Sequence, residues 1–214
     1  NLKAIKKNYL EQRDADADMD SVPILPSGLF KGLRNALPDD SIVTLDAGTM
    51  CLQLTDALHY HQPKSLFSPL DFGLVGFSYP AGLGIKLAAP ERPVVSFHGD
   101  GGMSMVLPEI STAVENNINT VCVVMNNGTW GAEAAYQKDF FDGRFIGAHI
   151  TTPEFDKAAE LYGCKGIKVE KAREIGDAIQ AGIEAECPTV IDVQCSPDAL
   201  YSFRQDSFKH KVKQ

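Results

Sequence analysis

Two apolar runs, Val94-Val95-Ser96-Phe97-His98 and Val121-Cys122-Val123-Val124-Met125, constrain the fold more than any other feature of this chain. A strand with one face in water alternates apolar and polar residues. These two do not, so each must be covered on both faces. Shorter runs of the same kind lie at 41–46, around Phe67, at 166–169 and at 189–195. Between them apolar residues recur at helical spacing. In 25–37, Leu29, Phe30, Leu33 and Leu37 share one face, and Pro38 ends the segment. Further helices are expected up to about 60 after the first strand, at 80–89, at 104–116, from 131, at 153–162 and at 172–186. Strands alternating with helices predict an α/β fold: a three-layer, doubly wound parallel sheet with helices on both faces. Residues 21–214 are expected to form one such domain. Residues 1–20 read as a solvated linker segment, with Asp14, Asp16, Asp18 and Asp20 on alternate positions.

The residues that end the two runs carry the chemistry. Gly99-Asp100-Gly101-Gly102 follows the first and Asn126-Asn127 the second. In an open parallel sheet, ligands bind at the C-terminal ends of strands. A hard cation such as Mg²⁺ takes oxygen ligands, usually one or two from protein and the rest from substrate phosphates and water. Asp100 supplies a charged oxygen and Asn127 a neutral one. Gly101 and Gly102 let backbone N–H groups approach a phosphate with no Cβ in the way, and Gly99 before them belongs to the same candidate cofactor loop. The helix expected at 104–116 would point its N-terminus at the same place. Gly-Asp-Gly alone is a common turn, and so is Asn-Asn-Gly. Both at strand ends, one crossover apart, are much harder to obtain by accident.

Composition narrows the classes. The chain has 214 residues, 44% hydrophobic and 22% charged, enough for one large core. The formal net charge of −8 and the lack of a basic stripe argue against a nucleic-acid surface. No apolar run approaches the roughly 18–20 residues of a membrane span. The N-terminus has no apolar signal region and begins with Asn, so the chain is expected to be part of a longer one. Cys51, Cys122, Cys164, Cys187 and Cys195 are odd in number and form no CxxC. They read as reduced core thiols of a cytoplasmic protein, and no Cys/His spacing suits zinc.

The Asp100-to-Asn127 spacing resembles the signature of the thiamine-diphosphate-dependent enzymes, and the resemblance runs from about residue 22 to the C-terminus. It implies thiamine diphosphate and Mg²⁺ as cofactors, with Asp100, Asn127 and the Thr129 backbone carbonyl as metal ligands. It implies that Ala47, Gly48 and Thr49 help bind the diphosphate, although a plain βα turn would look alike. The Gly73 carbonyl would accept from the aminopyrimidine. Val75 would press the cofactor into its bent form, or else simply pack in the core. Gly131 joins the cofactor contacts. Glu133, six residues past the metal Asn, would move protons or touch substrate, although a carboxylate also suits a helix start.

Trp130-Gly131-Ala132-Glu133, Asp142-Gly143-Arg144-Phe145-Ile146-Gly147 and Phe203-Arg204-Gln205-Asp206 are similar to the sulfoacetaldehyde acetyltransferase branch. That branch converts sulfoacetaldehyde and phosphate to acetyl phosphate and sulfite. Arg144 and Arg204 are the candidate contacts for the sulfonate and phosphate, surface salt bridges being the alternative. An acetolactate-synthase-like carboligase and a sulfopyruvate-type 2-oxo acid decarboxylase are the rivals within the superfamily. A non-catalytic nucleotide-binding module is the rival outside it, but no GxGxxG follows the first strand. In this superfamily the site is shared with a pyrimidine-binding domain that supplies an activating glutamate. No such second domain is visible in the sequence. The chain is therefore expected to be inactive alone, to pair with that domain in a homodimer or tetramer, and to be either the C-terminal part of a larger enzyme or a small subunit of a split one.

Overall fold

The computed structural model describes residues 1–69 and 72–200. Among them six strands form one sheet: β1 (Ile42–Leu45), β2 (Leu66–Phe67), β3 (Val94–Gly99), β4 (Val121–Asn126), β5 (Lys165–Val169) and β6 (Thr189–Gln194). Their order is β2-β1-β3-β4-β6-β5, and every pairing is parallel. The helices between them are α2 (Pro26–Ala36), α3 (Thr49–Ala57), α4 (Ser78–Ala88), α5 (Asp100–Val106), α6 (Glu109–Glu115), α7 (Gly131–Phe140), α8 (Phe155–Leu161) and α9 (Ile175–Ile183).

The continuous apolar runs work as their pattern requires. On β4, Val121, Val123 and Met125 enter one core with Leu29, Leu33 and Ile179. Cys122 and Val124 enter a second core with Tyr79, Ile110 and Phe155. Each fully buried Leu, Ile or Phe contributes about 1.5–3 kcal/mol relative to exposure. The second face is partly polar beneath α4. Thr44 Oγ1 donates to Ser96 Oγ at 2.8 Å, and Ser78 Oγ donates to the Thr44 carbonyl at 2.9 Å. These groups satisfy one another, so α4 can lie close to the sheet. A Cβ on Gly82 would stand 2.2 Å from Ser96 Oγ.

The structure adds to one expectation and corrects another. Within the expected linker, Leu2–Asp14 is an α-helix, α1, capped by Asn1 and with no buried residue. The segment is solvated but ordered, because 2–14 holds no Gly or Pro and is rich in helix formers. The single helix expected at 104–116 is two, α5 and α6. Pro108 breaks it, having no N–H to give and a ring that clashes with the preceding turn. The first of them starts at Asp100, so the loop and helix expected there are one structure.

The chain runs from β1 outward to β2, then returns to the other side of β1 for β3. The strand order therefore reverses between β1 and β3, and a crevice opens beyond their C-terminal ends. All five cysteines are free, Cys187 half-buried and the others buried. Among the described residues no helix is long and apolar enough to cross a membrane.

Candidate functional site

A cleft of about 910 Å³ opens at that crevice. Its floor is made by the loops after β1, β3 and β4, and α3 and α7 contribute its flanks. That volume is in the range of small-molecule and cofactor sites. The turn from β1 to α3 passes through Gly48 at φ +131, a conformation L side chains rarely adopt. Beside Gly48 and Gly99 there is open space where a Cβ would stand, so the backbone of both loops is accessible from the cleft.

A buried clamp holds these loops. The Asp46 carboxylate accepts from the N–H groups of Gly76, Phe77 and Ser78 at 3.1, 2.7 and 3.2 Å, tying the end of β1 to the start of α4. His98 Nε2 accepts from Tyr79 N–H at 2.7 Å, which places the ring proton on Nδ1. That nitrogen lies 3.2 Å from Asp46 Oδ2, so its N–H dipole favours the carboxylate although it is off the line of a hydrogen bond. Burial alone would raise the Asp46 pKa. His98 and the backbone donors outweigh it and hold the group below its ordinary value. Gly102 sits over this pair, where a Cβ would fall 2.2 Å from Asp46 Oδ2.

Asp100 is buried at the start of α5. Its Oδ1 accepts from Gly101 N–H at 2.8 Å, and its Oδ2 from Asn127 N–H at 3.2 Å. Thr129 N–H is shared: it reaches Asp100 Oδ2 at 3.2 Å and Asn127 Oδ1 at 3.1 Å. The two side-chain oxygens thus converge on one point. Burial pushes the Asp100 carboxyl up, and the surrounding backbone N–H groups only partly offset it. Trp130 N–H donates to the Ala148 carbonyl and Ile150 N–H to the Gly128 carbonyl, bridging Thr129 to His149 in antiparallel fashion. In such a bridge the C=O of Thr129 itself points away from its partner. One carboxylate, one amide and one free-standing carbonyl suit a hard cation. Among the described residues no group of three His, Cys, Asp or Glu side chains gathers as a metal site, so softer metals have no such cluster.

The structure brings most of the expected residues to this cleft. Ala47, Gly48, Thr49, Gly73, Val75, Gly99, Asp100, Gly101, Gly102, Asn127, Thr129, Gly131 and Glu133 all line it. Glu133 is exposed on the first turn of α7. Trp130 lies against Gly101, whose absent Cβ would fall 2.6 Å from the indole. Arg144 does not join them. It is exposed beyond α7, and its Nε donates to the Phe141 carbonyl at 3.0 Å. Arg204 and the Phe203-Arg204-Gln205-Asp206 run lie outside the described residues.

Sequence reasoning missed the part played by α1. Tyr9 and Arg13 border the cleft. Tyr9 Oη donates to Asp56 Oδ2 at 2.7 Å, and Arg13 Nη1 does the same at 2.7 Å. The spacing of Leu2, Ile5 and Tyr9 along one helical face was the available signal, masked by the charge of the segment. Asp46 ends the apolar run read at 41–46, and its clamp on α4 depends on contacts about thirty residues away that no local pattern reveals.

The family described as thiamine pyrophosphate enzyme, C-terminal TPP binding domain, matches residues 46–193. The chain is 32% identical over 192 residues to a sulfoacetaldehyde acetyltransferase of Castellaniella defragrans, covering 88% of this chain and 32% of that protein. It is 29% identical over 208 residues to a probable acetolactate synthase large subunit of Methanococcus aeolicus, covering 94% and 34% respectively. A solved structure, the thiamine diphosphate-dependent 4-hydroxybenzoylformate decarboxylase of Rhodococcus jostii RHA1, superposes with a TM-score of 0.78 at 29% identity, covering 86% of this chain and 35% of that one. The chain thus spans about a third of the length of these relatives. It belongs to the thiamine pyrophosphate enzyme family, as its C-terminal TPP-binding domain.

Proposed function

We propose that this domain anchors the diphosphate of thiamine diphosphate through a Mg²⁺ ion held by Asp100, Asn127 and the Thr129 carbonyl, and that it serves a sulfoacetaldehyde acetyltransferase. One observation carries the cofactor assignment: Asp100 Oδ2 and Asn127 Oδ1, from the ends of two neighbouring strands, converge on a single N–H. The open space beside Gly48 and Gly99 fits a phosphate approaching backbone N–H groups. When bound, the cofactor supplies the electron sink that carbon–carbon and carbon–sulfur cleavage next to a carbonyl requires. Gly73 and Val75, both lining the cleft, hold its pyrimidine end. Trp130 walls the floor and excludes water. Glu133 is placed at the rim to hold or move a proton.

The acyl-transfer assignment rests on the Trp130–Glu133 and Asp142–Gly147 motifs, and the 32%-identical acetyltransferase supports it. The reaction is sulfoacetaldehyde and phosphate to acetyl phosphate and sulfite. A carboligase is the second reading, favoured by the longer match to the Methanococcus relative. Activation of the cofactor requires a pyrimidine-binding domain outside this chain, so this chain alone is inactive.

Two measurements test these statements. Titration of thiamine diphosphate should show Mg²⁺-dependent binding that Asp100→Ala weakens by about a hundredfold or more, two charge-assisted contacts being lost. Equal binding by the variant, or binding indifferent to Mg²⁺, sinks the cofactor assignment. With the pyrimidine domain present, sulfoacetaldehyde should yield acetyl phosphate only when phosphate is added. Acetolactate from pyruvate instead would establish the second reading.

A further inference from the structure

The cleft is short of positive charge. Its lining includes the carboxylates of Asp46, Asp56, Asp100 and Glu133, and among the described residues one cationic side chain, Arg13. Asp46 and Asp100 are buried and committed to backbone donors. Apart from the backbone N–H groups already assigned to the diphosphate, Arg13 on α1 is the cationic donor that lines this space among the described residues.

Arg13 is held in a defined pose. Its Nη1 donates to Asp56 Oδ2 at 2.7 Å, its guanidinium carbon stands 5.8 Å from the centre of the Phe30 ring, and its side chain is 20% exposed. Tyr9 Oη bonds the same Asp56 oxygen and fixes it. A guanidinium has five N–H donors in a planar fork, and this pairing uses one of them, on Nη1. Nε and Nη2 have no protein acceptor among the described residues. The Asp56 carboxylate and the Phe30 ring hold the cation from two sides at the mouth of the cleft, and Tyr9 holds Asp56 in turn. Asp56 lies seven residues along α3 from Thr49, about 10 Å at helical rise. The cation is therefore separated from the diphosphate end by roughly the length of a small substrate.

We propose that Arg13 is the anion-recognising residue of the cleft, its free guanidinium edge taking the tetrahedral oxyanion of a small reactant, either a sulfonate or inorganic phosphate. This gives Arg13 a role expected from the sequence for Arg144 and Arg204. The assignment rests on the proposed use of the cleft for an anionic acyl donor and phosphate, and its test separates the two.

The probes are methanesulfonate and inorganic phosphate, each titrated into the chain with and without thiamine diphosphate and Mg²⁺. Trp130, the single tryptophan, lies in the same cleft and reports by fluorescence, with calorimetry alongside. Saturable binding of at least one probe is expected. Arg13→Gln should weaken it by about tenfold or more, and Arg13→Lys by less, since the charge stays while the fork is lost. The probe that responds identifies which oxyanion the residue takes. Thiamine diphosphate affinity should not change in either variant. Absence of saturable binding, or equal affinity in wild type and Arg13→Gln, overturns the inference. If the cofactor fails to bind wild type while Arg13-dependent anion binding persists, the cofactor reading falls and this one stands.

Discussion

At the residue scale, the site is built by side chains that replace what a neighbouring glycine lacks. Gly102 shows this most directly. A Gly-to-Ala change inside a helix usually stabilises by about 1 kcal/mol. At Gly102 the new Cβ would meet Asp46 Oδ2 at 2.2 Å and His98 Nδ1 at 3.3 Å. Gly102→Ala is therefore expected to destabilise by about 1–3 kcal/mol, the usual cost of overpacking, and to weaken cofactor binding. Gly84→Ala on the exposed face of α4, with nothing within 4 Å of its Cβ, should instead be neutral or stabilising. Urea denaturation of both variants checks the contrast. The Asp100–Asn127 pair was legible in the sequence because each half ends an apolar run that had to be a strand. The Asp46–His98 clamp and Arg13 were not, because each acts through partners distant in the chain.

At the element scale, α1 differs from every helix that packs on the sheet. It buries no residue and is attached by polar contacts at its C-terminal half: Tyr9 and Arg13 to Asp56, and Asp14 to Arg34 at 2.6 Å. Its sequence favours a helix but buries no residue against the rest of the molecule, so it belongs to the low-stability end of the structure. Asp56→Ala is expected to speed hydrogen exchange of the α1 amides several-fold while leaving β3 and β4 protected. Unchanged exchange in α1 would show that its attachment lies elsewhere. The order and type of strands and helices from β1 to β6 were readable from apolar runs and helical spacing. The α5–α6 break was readable too, since Pro108 is plain in the sequence. Helical spacing runs on through 104–116, but the missing N–H and the ring of Pro108 outweigh it.

At the scale of the whole molecule, two buried carboxylates give stability opposite dependences on pH. Asp46 is held below its ordinary value, so its contribution is present above that value and lost as pH falls through the folded pKa. Asp192 on β6 bonds Asn126 Nδ2 at 3.1 Å and Phe155 N–H at 2.9 Å, linking the metal-loop strand to the start of α8. Burial, the largest influence, pushes its pKa up to about 6. A raised carboxyl favours the folded state while protonated, and that contribution disappears as pH rises from about 4 through 6. Relative to wild type, Asp192→Asn should therefore gain up to about 3 kcal/mol between pH 4 and pH 7. Urea midpoints at the two pH values decide it, and a constant difference would mean that Asp192 titrates normally.

The parallel sheet also divides the molecule into two ends with different tolerances. All loops that touch the cleft leave the C-terminal ends of strands. The connections entering β3 and β4, around Pro90-Glu91-Arg92 and Asn117-Ile118-Asn119, lie at the opposite end. Extra residues inserted there would lengthen the molecule without passing through the chemistry, whereas a single added residue between Gly99 and Gly102 would move a strand end against its neighbour. Engineering of this domain, whether a tag, a reporter or a new junction, has one side open to it and one closed.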